Sequence, residues 1–333
     1  TTATTFTPTT QTGLVKVTVD GTDMTGGNID INVDGSTVQN TASGQFENRV
    51  VNPATSLTIV SNIDGYEISS ASYDSVSFSA AAQESGTRDA TFKPDGTKMY
   101  IVGNNKIIYQ YTLSTPWVVS SASYDSVSFS VGSQDTSAFS LAFKPDGTKF
   151  YLLGATNDSV FQYTLSTAWD MSTASYDSIS FSVASQETTP YGMTLKPDGT
   201  KLYIVGYVND TVYQYTLSTA WDLSTASYDS ISFSVAVQDN SPRGLAFKTD
   251  GTKMYIVGTT NSTIFQYTLS TPWVVSSSSY DSVSFSVGAQ ETYPYSISFK
   301  TGGTKFYIIG NNNTVYQYTS SGVFAGTARI SIG

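Results

Sequence analysis

The sequence predicts an all-β fold dominated by a five-bladed β-propeller, because one unit of 51 or 52 residues recurs five times. The motif Ser-Tyr-Asp-Ser-(Val/Ile)-Ser-Phe-Ser places a tyrosine at this regular interval. Each unit contains four short runs rich in β-branched and aromatic residues, separated by turn residues. Four antiparallel strands in a unit of this length are typical of a propeller blade. The repeated tyrosines are Tyr73, Tyr124, Tyr176, Tyr228 and Tyr280.

The four predicted strands of a blade are named A to D. Strand A covers Ala90 to Phe92, strand B covers Lys98 to Val102, and strand C covers Ile107 to Leu113. The repeated motif supplies strand D, which in the preceding copy covers Tyr73 to Ser79. Between A and B, the triplet 94–96 reads Pro-Asp-Gly, in which Pro fixes φ, Asp hydrogen-bonds locally and Gly accepts a positive φ. This triplet predicts a tight turn.

The ends of the repeat array predict how the ring closes. A tryptophan precedes the repeated tyrosine by seven positions in four copies, and Tyr66 takes its place in the first copy. The array therefore begins with a D strand and ends with A, B and C strands near Tyr318. We expect the propeller to span residues 62–319, with the last blade completed by strands from both ends, which leaves no free sheet edge. The tryptophans, expected to pack between blades rather than on sugars, are Trp117, Trp169, Trp221 and Trp273.

The segments that flank the array do not match the repeat. Residues 1–61 predict a small N-terminal β-sandwich-like unit with a flexible threonine-rich start, and we expect this unit to serve docking or assembly. Residues 320–333 predict a C-terminal strand that would pair with the N-terminal unit. The chain begins with Thr1, as it would after removal of an initiator Met, although cleavage of a precursor would leave the same start.

Composition excludes several functions. The chain lacks cysteine and histidine, so it has no thiolate, no Ser-His or Cys-His pair and no common zinc ligand. Its net charge of −10 argues against a nucleic-acid partner. No apolar run is long enough to span a membrane, so we expect no membrane insertion, and the N-terminus lacks signal-peptide features. We expect no cofactor.

The carboxylates argue against catalysis. Five-bladed propellers occur among glycoside hydrolases, which need two carboxyl groups in different environments. In this chain nearly every carboxylate of the array recurs from copy to copy, and equivalent environments do not separate two pKa values. We therefore expect a protein that is not an enzyme.

Variation among the copies points to one end of the propeller. The D–A and B–C connections vary, whereas the A–B turns and C–D connections hardly change. In a four-stranded antiparallel blade, D–A and B–C lie at the same end, so this variable end is the predicted binding surface. One register, five residues before the repeated lysine, carries arginine and aromatic residues, which are common in recognition sites. The alternative is that this register packs between blades or caps the channel. Its members are Arg88, Phe139, Tyr191, Arg243 and Tyr295.

A Gln-acid pair precedes this register in every copy. A ring of five carboxylates around a channel is a weak candidate for a metal site, since hard cations prefer oxygen ligands. The favoured alternative is that each acid anchors a turn or pairs with a neighbouring lysine. The acids are Glu84, Asp135, Glu187, Asp239 and Glu291.

The segment Lys-Pro-Asp-Gly-Thr-Lys-(Met/Phe/Leu)-Tyr-(Ile/Leu)-(Val/Leu)-Gly resembles the core of YVTN and NHL-type propeller repeats. The longer unit resembles repeat arrays of uncharacterised proteins of tailed phages and marine bacteria. These resemblances imply a propeller and carry no catalytic residues.

The resemblance and the absent chemistry favour a noncatalytic virion structural or adhesion protein. Its N-terminal unit would dock on the particle, and its variable end would meet a host surface, glycan or protein, or a neighbouring subunit. The alternative is a secreted or cell-surface bacterial lectin or adhesin that assembles through its N-terminal segment. Either function predicts a virion or extracellular location.

Overall fold

The computed structural model describes residues 65–320 in full and, outside that range, the backbone of seven strands. The chain divides into two compact units. One contains Thr1–Ala71, Gly302–Thr304 and Ser320–Gly333, and the other contains Ser72–Thr301 and Lys305–Thr319. The described residues include no helix long and apolar enough to cross a membrane.

The strands outside the propeller form two antiparallel sheets. The strands are β1 (Thr2–Phe6), β2 (Val15–Asp23), β3 (Asn28–Val33), β4 (Ser36–Thr41), β5 (Glu47–Val50), β6 (Leu57–Asn62) and β27 (Ala325–Ile332). Strand order is β1-β6-β3-β4 in one sheet and β27-β2-β5 in the other. The last strand, β27, pairs with β2 so that Ile332 lies opposite Val15. The predicted flexible start and the predicted docking role of residues 1–61 lie outside the residues that the structure describes in full.

The propeller has five blades of four antiparallel strands each, which confirms the predicted fold class. Blade 1 consists of β8 (Thr87–Phe92), β9 (Lys98–Gly103), β10 (Ile107–Leu113) and β11 (Ala122–Ser130). Blade 2 consists of β12 (Ala138–Phe143), β13 (Lys149–Gly154), β14 (Ser159–Leu165) and β15 (Ala174–Ser182). Blade 3 consists of β16 (Pro190–Leu195), β17 (Lys201–Gly206), β18 (Thr211–Leu217) and β19 (Ala226–Ser234). Blade 4 consists of β20 (Pro242–Phe247), β21 (Lys253–Gly258), β22 (Thr263–Leu269) and β23 (Ser278–Ser286).

Blade 5 closes the ring with strands from both ends of the array, as the sequence predicts. It consists of β24 (Pro294–Phe299), β25 (Lys305–Gly310), β26 (Thr314–Thr319) and β7 (Ser72–Ser79). Strands β26 and β7 pair antiparallel, with Tyr318 opposite Tyr73 and Thr314 opposite Ser79. The first strands of all five blades contact one another in a circle, so they line the propeller axis.

The tryptophans join neighbouring blades. Tyr100 of blade 1 donates its hydroxyl to the Trp169 carbonyl of blade 2 at 2.7 Å, and its ring packs on Phe143 with centroids 4.6 Å apart. The Trp169 ring also covers Gly147, whose φ of +74° and lack of a side chain permit this approach. In the first copy Tyr66 covers Gly303 in the same way. The matching hydroxyl-to-carbonyl pairs are Tyr151 with Trp221, Tyr203 with Trp273, and Tyr307 with Trp117.

A polar network recurs between strands B, C and D of each blade. In blade 3, Asp229 accepts hydrogen bonds from Lys201 Nζ at 2.7 Å, Gln214 Nε2 at 2.8 Å and Thr216 Oγ1 at 2.5 Å. Burial opposes ionisation of Asp229, but these hydrogen bonds and the Lys201 charge together outweigh it and lower the pKa of the carboxyl. The equivalent carboxyls, each with a lowered pKa, belong to Asp74, Asp125, Asp177 and Asp281.

Replacement of Asp229 by Asn should lower the free energy of unfolding by about 1–3 kcal/mol at neutral pH, the usual range for hydrogen bonds to charged groups. Because the pKa is lowered on folding, the stabilisation is present above the ordinary Asp pKa and is lost as pH falls through the folded value. Urea unfolding from pH 7 to pH 2 measures both effects. The control is Asp198→Asn. The Asp198 carboxylate pairs with Lys196 and accepts hydrogen bonds from Thr200, but its side chain is 50% exposed, so its replacement should cost less than about 1 kcal/mol.

Replacement of Gly199 by Ala should destabilise the propeller through a collision with tryptophan. A Cβ on Gly199 would lie 2.3 Å from the Trp221 ring, and its φ of +76° is unfavourable for alanine. The control, Gly302→Ala, has a φ of +83° but nothing within 4 Å of the added Cβ. Thermal and urea unfolding should show a loss for G199A that exceeds the loss for G302A by about 1–3 kcal/mol. Equal losses would mean that backbone conformation alone explains the glycine.

Candidate binding site

The D–A loops and B–C turns meet at one end of the propeller, where buried acids hold them together. Glu187, in the loop that leads into blade 3, accepts backbone N–H groups from its own loop at Thr189, 2.9 Å away, and from the B–C turn at Val208 and Asn209, each 3.2 Å away. Asn209 returns a side-chain hydrogen bond to the Gln186 carbonyl at 2.8 Å. The variable loops are therefore fixed through backbone atoms.

The other four acids of this series occupy the same place and are nearly fully buried. Burial raises the pKa of Glu84 and Glu291 although backbone N–H groups partly offset it. Asp239 differs, because only the Ser241 N–H, at 2.7 Å, reaches it and its Oδ2 is buried without a partner. Within residues 65–320, no group of three or more acids is arranged to hold a metal ion. The contacts of these acids are those of turn anchors.

The variable register lies within the first strand of each blade, because these strands begin earlier than the sequence predicts. Each of its residues is the second residue of β8, β12, β16, β20 or β24. The five side chains contact one another in a closed circle around the axis and are named the axial ring. The distances are measured from the arginine Cζ to the ring centroid, or between the two ring centroids for Phe139 and Tyr191. Around the ring, the contacts are Arg88 with Phe139 (5.0 Å), Phe139 with Tyr191 (4.3 Å), Tyr191 with Arg243 (3.8 Å), Arg243 with Tyr295 (5.7 Å) and Tyr295 with Arg88 (4.4 Å).

The two arginines of the axial ring have different partners. Arg88 donates from Nε and Nη2 to Asn104 Oδ1, at 3.2 and 3.0 Å. Arg243 lies over the Tyr191 ring and 5.3 Å from the Tyr207 centroid, yet its Nε is buried without an acceptor among the described residues. Guanidinium groups stack favourably on tyrosine faces, so both arginines are held in place. Only Arg88 also has a hydrogen-bond acceptor.

Exposed apolar side chains cluster at the same end. Across residues 65–320, the large hydrophobic residues that are exposed are Tyr207 (48%), Val208 (53%), Val237 (90%) and Tyr293 (55%). All four lie in D–A loops or B–C turns, and all belong to the side of the ring formed by blades 3 to 5. Polar pairs bridge the loop and turn in blades 1, 2 and 4, namely Ser85 with Asn105, Thr136 with Thr156, and Thr260 with Asn240. The exposed apolar residues of the variable end therefore lie on the side of blades 3 to 5, which is named the aromatic side.

A single carboxylate, which the sequence analysis did not single out, lies next to the axial ring along the chain. Asp89 is buried and accepts hydrogen bonds from Ser296 Oγ at 2.5 Å, Leu141 N at 2.7 Å and Ser140 Oγ at 2.9 Å. Burial raises the pKa of Asp89, and these hydrogen bonds only partly offset it. The signal in the sequence is a break in the repeat, since the equivalent positions are Ser140, Gly192, Gly244 and Ser296.

Comparisons with known proteins do not identify a family for this chain. No protein family and no curated protein matches the chain. A solved structure with some likeness is the crystal structure of Sqt1 from Chaetomium thermophilum, at 13% identity and a TM-score of 0.39. The likeness covers 66% of this chain and 53% of that one, so this chain matches about half of that structure's length. The strand order alone therefore defines the class, a five-bladed β-propeller repeat protein, and the resemblance to YVTN, NHL and phage repeats stays a prediction.

Replacement of Asp89 by Asn should change how stability depends on pH. Because the pKa of Asp89 is raised on folding above 3.8, the protonated carboxyl stabilises the fold and this contribution is lost as pH rises through the folded pKa. Asn has no proton to lose. The free energy of unfolding of the native protein, relative to D89N, should therefore be highest near pH 3 and fall towards neutral pH. Urea unfolding of both proteins measures it, and a difference that rises with pH would contradict the expected burial effect.

Proposed function

We propose that this chain is a noncatalytic adhesion protein that binds its target through the variable end of the propeller. The observation that supports this proposal is the clustering of exposed Tyr207, Val208, Val237 and Tyr293 beside the axial ring. Exposed aromatic residues together with arginine are the side chains that dominate recognition sites. Among residues 65–320, the invariant end exposes no comparable group of large apolar side chains, because its tryptophans pack between blades.

The fixed loop backbones support binding by a preformed surface. The turn acids hold each D–A loop to its B–C turn through N–H groups, so the exposed side chains are presented on a rigid support. A rigid surface loses little conformational entropy when it binds a partner. The same arrangement lets loop side chains differ between blades while the scaffold stays constant. A binding role therefore fits both the uniform scaffold and the variable end.

The proposed setting is a virion, with the propeller displayed towards a host surface glycan or protein, or towards a neighbouring subunit, and with residues 1–61 used for assembly. This part of the proposal is supported by the resemblance of the repeat to phage arrays. Antibodies against the chain should label purified particles from its source. Labelling of the bacterial envelope instead would favour a secreted or cell-surface lectin or adhesin.

The triple variant Tyr207→Ser, Val237→Ser and Tyr293→Ser should lose binding to host cells and to a glycan array by at least about tenfold, since interface aromatics often contribute over 1 kcal/mol each. Flow cytometry and surface plasmon resonance measure the loss. The control is Ala168→Ser with Ala220→Ser, two exposed positions in C–D connections at the invariant end. Unchanged binding by the triple variant, or equal losses by the control, would remove the variable end from the function.

A further inference from the structure

Arg243 has hydrogen-bond donors without acceptors at the centre of the aromatic side. Its Nε is buried and unpartnered, and its guanidinium makes only ring contacts. The guanidinium Cζ lies 3.8 Å from the ring centroid of Tyr191, 5.3 Å from that of Tyr207 and 5.7 Å from that of Tyr295. A guanidinium carries five N–H donors and no acceptor. Because the guanidinium makes no hydrogen bond within residues 65–320 and its two terminal Nη groups are not among the buried unpartnered atoms, these Nη groups remain as donors for an acceptor from outside the described chain.

The comparison with Arg88 shows why Arg243 is unpaired. In blade 1, the first residue of the B–C turn is Asn104, whose side-chain oxygen accepts both hydrogen bonds from Arg88. In blade 4, the equivalent residue is Thr259, and its hydroxyl donates instead to Ser241 at 2.8 Å. Two arginines at the same register therefore differ in the availability of a neighbouring acceptor, as well as in the aromatic rings that they contact. The N–H donors of the Arg243 guanidinium therefore stay available for a ligand.

The surroundings of Arg243 define the ligand chemistry. A guanidinium binds carboxylate oxygens in a planar, two-bond geometry. Tyr207, 48% exposed, offers a flat ring next to it for the apolar face of a sugar. The nearby loops and turns carry hydroxyl and amide groups, such as those of Asn240 and Thr260, which suit sugar hydroxyls. In the D–A loops and B–C turns of blades 3 to 5 the sequence has no lysine, so a long polyanion has no second basic contact there.

We propose that Arg243, Tyr191 and Tyr207 form a subsite for one carboxylate-bearing sugar residue. The sugar carboxylate pairs with the Arg243 guanidinium, and the pyranose face stacks on Tyr207. The ring face of Tyr191 packs against the guanidinium and holds it in place. This inference rests on the proposed binding function and narrows its target to acidic saccharides.

Isothermal titration of the full chain tests the subsite with matched probes. These are 3′-sialyllactose against lactose, and trigalacturonate against its methyl ester. The first pair tests a terminal nonulosonate and the second a uronate, so the source of the carboxylate is distinguished. At least one acid should bind, and its partner without a free carboxylate should bind on the order of ten- to hundredfold more weakly. Equal binding within both pairs would overturn the assignment, and so would tetraglutamate binding as tightly as the saccharides.

Variants locate the carboxylate contact. Arg243→Gln should weaken binding of the acidic saccharide by about ten- to hundredfold, and Arg243→Lys should give an intermediate loss because an ammonium lacks the planar fork. Tyr207→Phe should retain binding, whereas Tyr207→Ser should lose it. Arg88→Gln, whose guanidinium is already paired, should lose less than R243Q, and Lys106→Gln controls for charge at the same end. A loss for R88Q or K106Q as large as that for R243Q would overturn the subsite.

The two proposals fail in different ways. If the variable-end triple variant loses cell binding while R243Q and removal of the carboxylate have no effect, the acidic-sugar subsite is wrong and the binding function stands. If neither the triple variant nor R243Q alters binding to cells, the proposed function itself is wrong. Thermal unfolding should show that each variant is folded at the temperature of the binding assay. R243Q loses the ring contacts of its guanidinium but no hydrogen bond within the described chain, so only a small decrease in melting temperature is expected.

Discussion

The pairing of β7 with β26 is the constraint on which the rest of the propeller depends. It joins the two ends of the repeat array, so the last blade has the same four strands as the others. Closure also lets Tyr307 of blade 5 donate to the Trp117 carbonyl of blade 1, the same contact that joins blade 1 to blade 2, blade 2 to blade 3 and blade 3 to blade 4. Each blade then packs against a neighbour on both of its faces, and only the short first and last strands of each blade remain as edges. The axial ring exists only because the five first strands meet in this closed circle.

The two ends of the propeller differ because they are held by different kinds of contact. At the invariant end, a tryptophan ring lies against a turn glycine, and a single added carbon at Gly147 would collide with it. Side-chain identity is therefore fixed there. At the variable end, acids such as Glu187 hold the loops through backbone N–H groups, which every residue except proline possesses. The loop side chains can therefore change without loss of the scaffold, which explains why variation among the copies is confined to one end.

The sequence predicted the features that recur and missed those that occur once. Strand order, closure and the tryptophan contacts repeat, so periodicity reveals them. The contacts within the axial ring join residues of different repeats, and register alone could not show whether these residues face the axis or a neighbouring blade. The difference between Arg88 and Arg243 depends on one residue of a B–C turn, Asn104 or Thr259, and on what that residue already binds. Asp89 was visible as a break in the repeat, but its burial required the structure.

The net charge of the whole chain does not describe the local charge at the variable end. The chain carries a charge of −10, which repels anions at long range. Yet the five turn acids at this end point inward, onto backbone N–H groups that offset part of their charge, and only Asp158 and Asp210 add carboxylates in the described B–C turns. The carboxylates of the polar networks are likewise paired, each with a lysine of its own blade, as Asp229 is with Lys201. Beyond a Debye length the remaining charges are screened, whereas Arg243 acts at contact distance and among tyrosine rings, where screening is weaker. An acidic protein can therefore present at this end a guanidinium, that of Arg243, with no hydrogen-bond acceptor among the described residues, whereas the neighbouring Arg88 is already paired with Asn104.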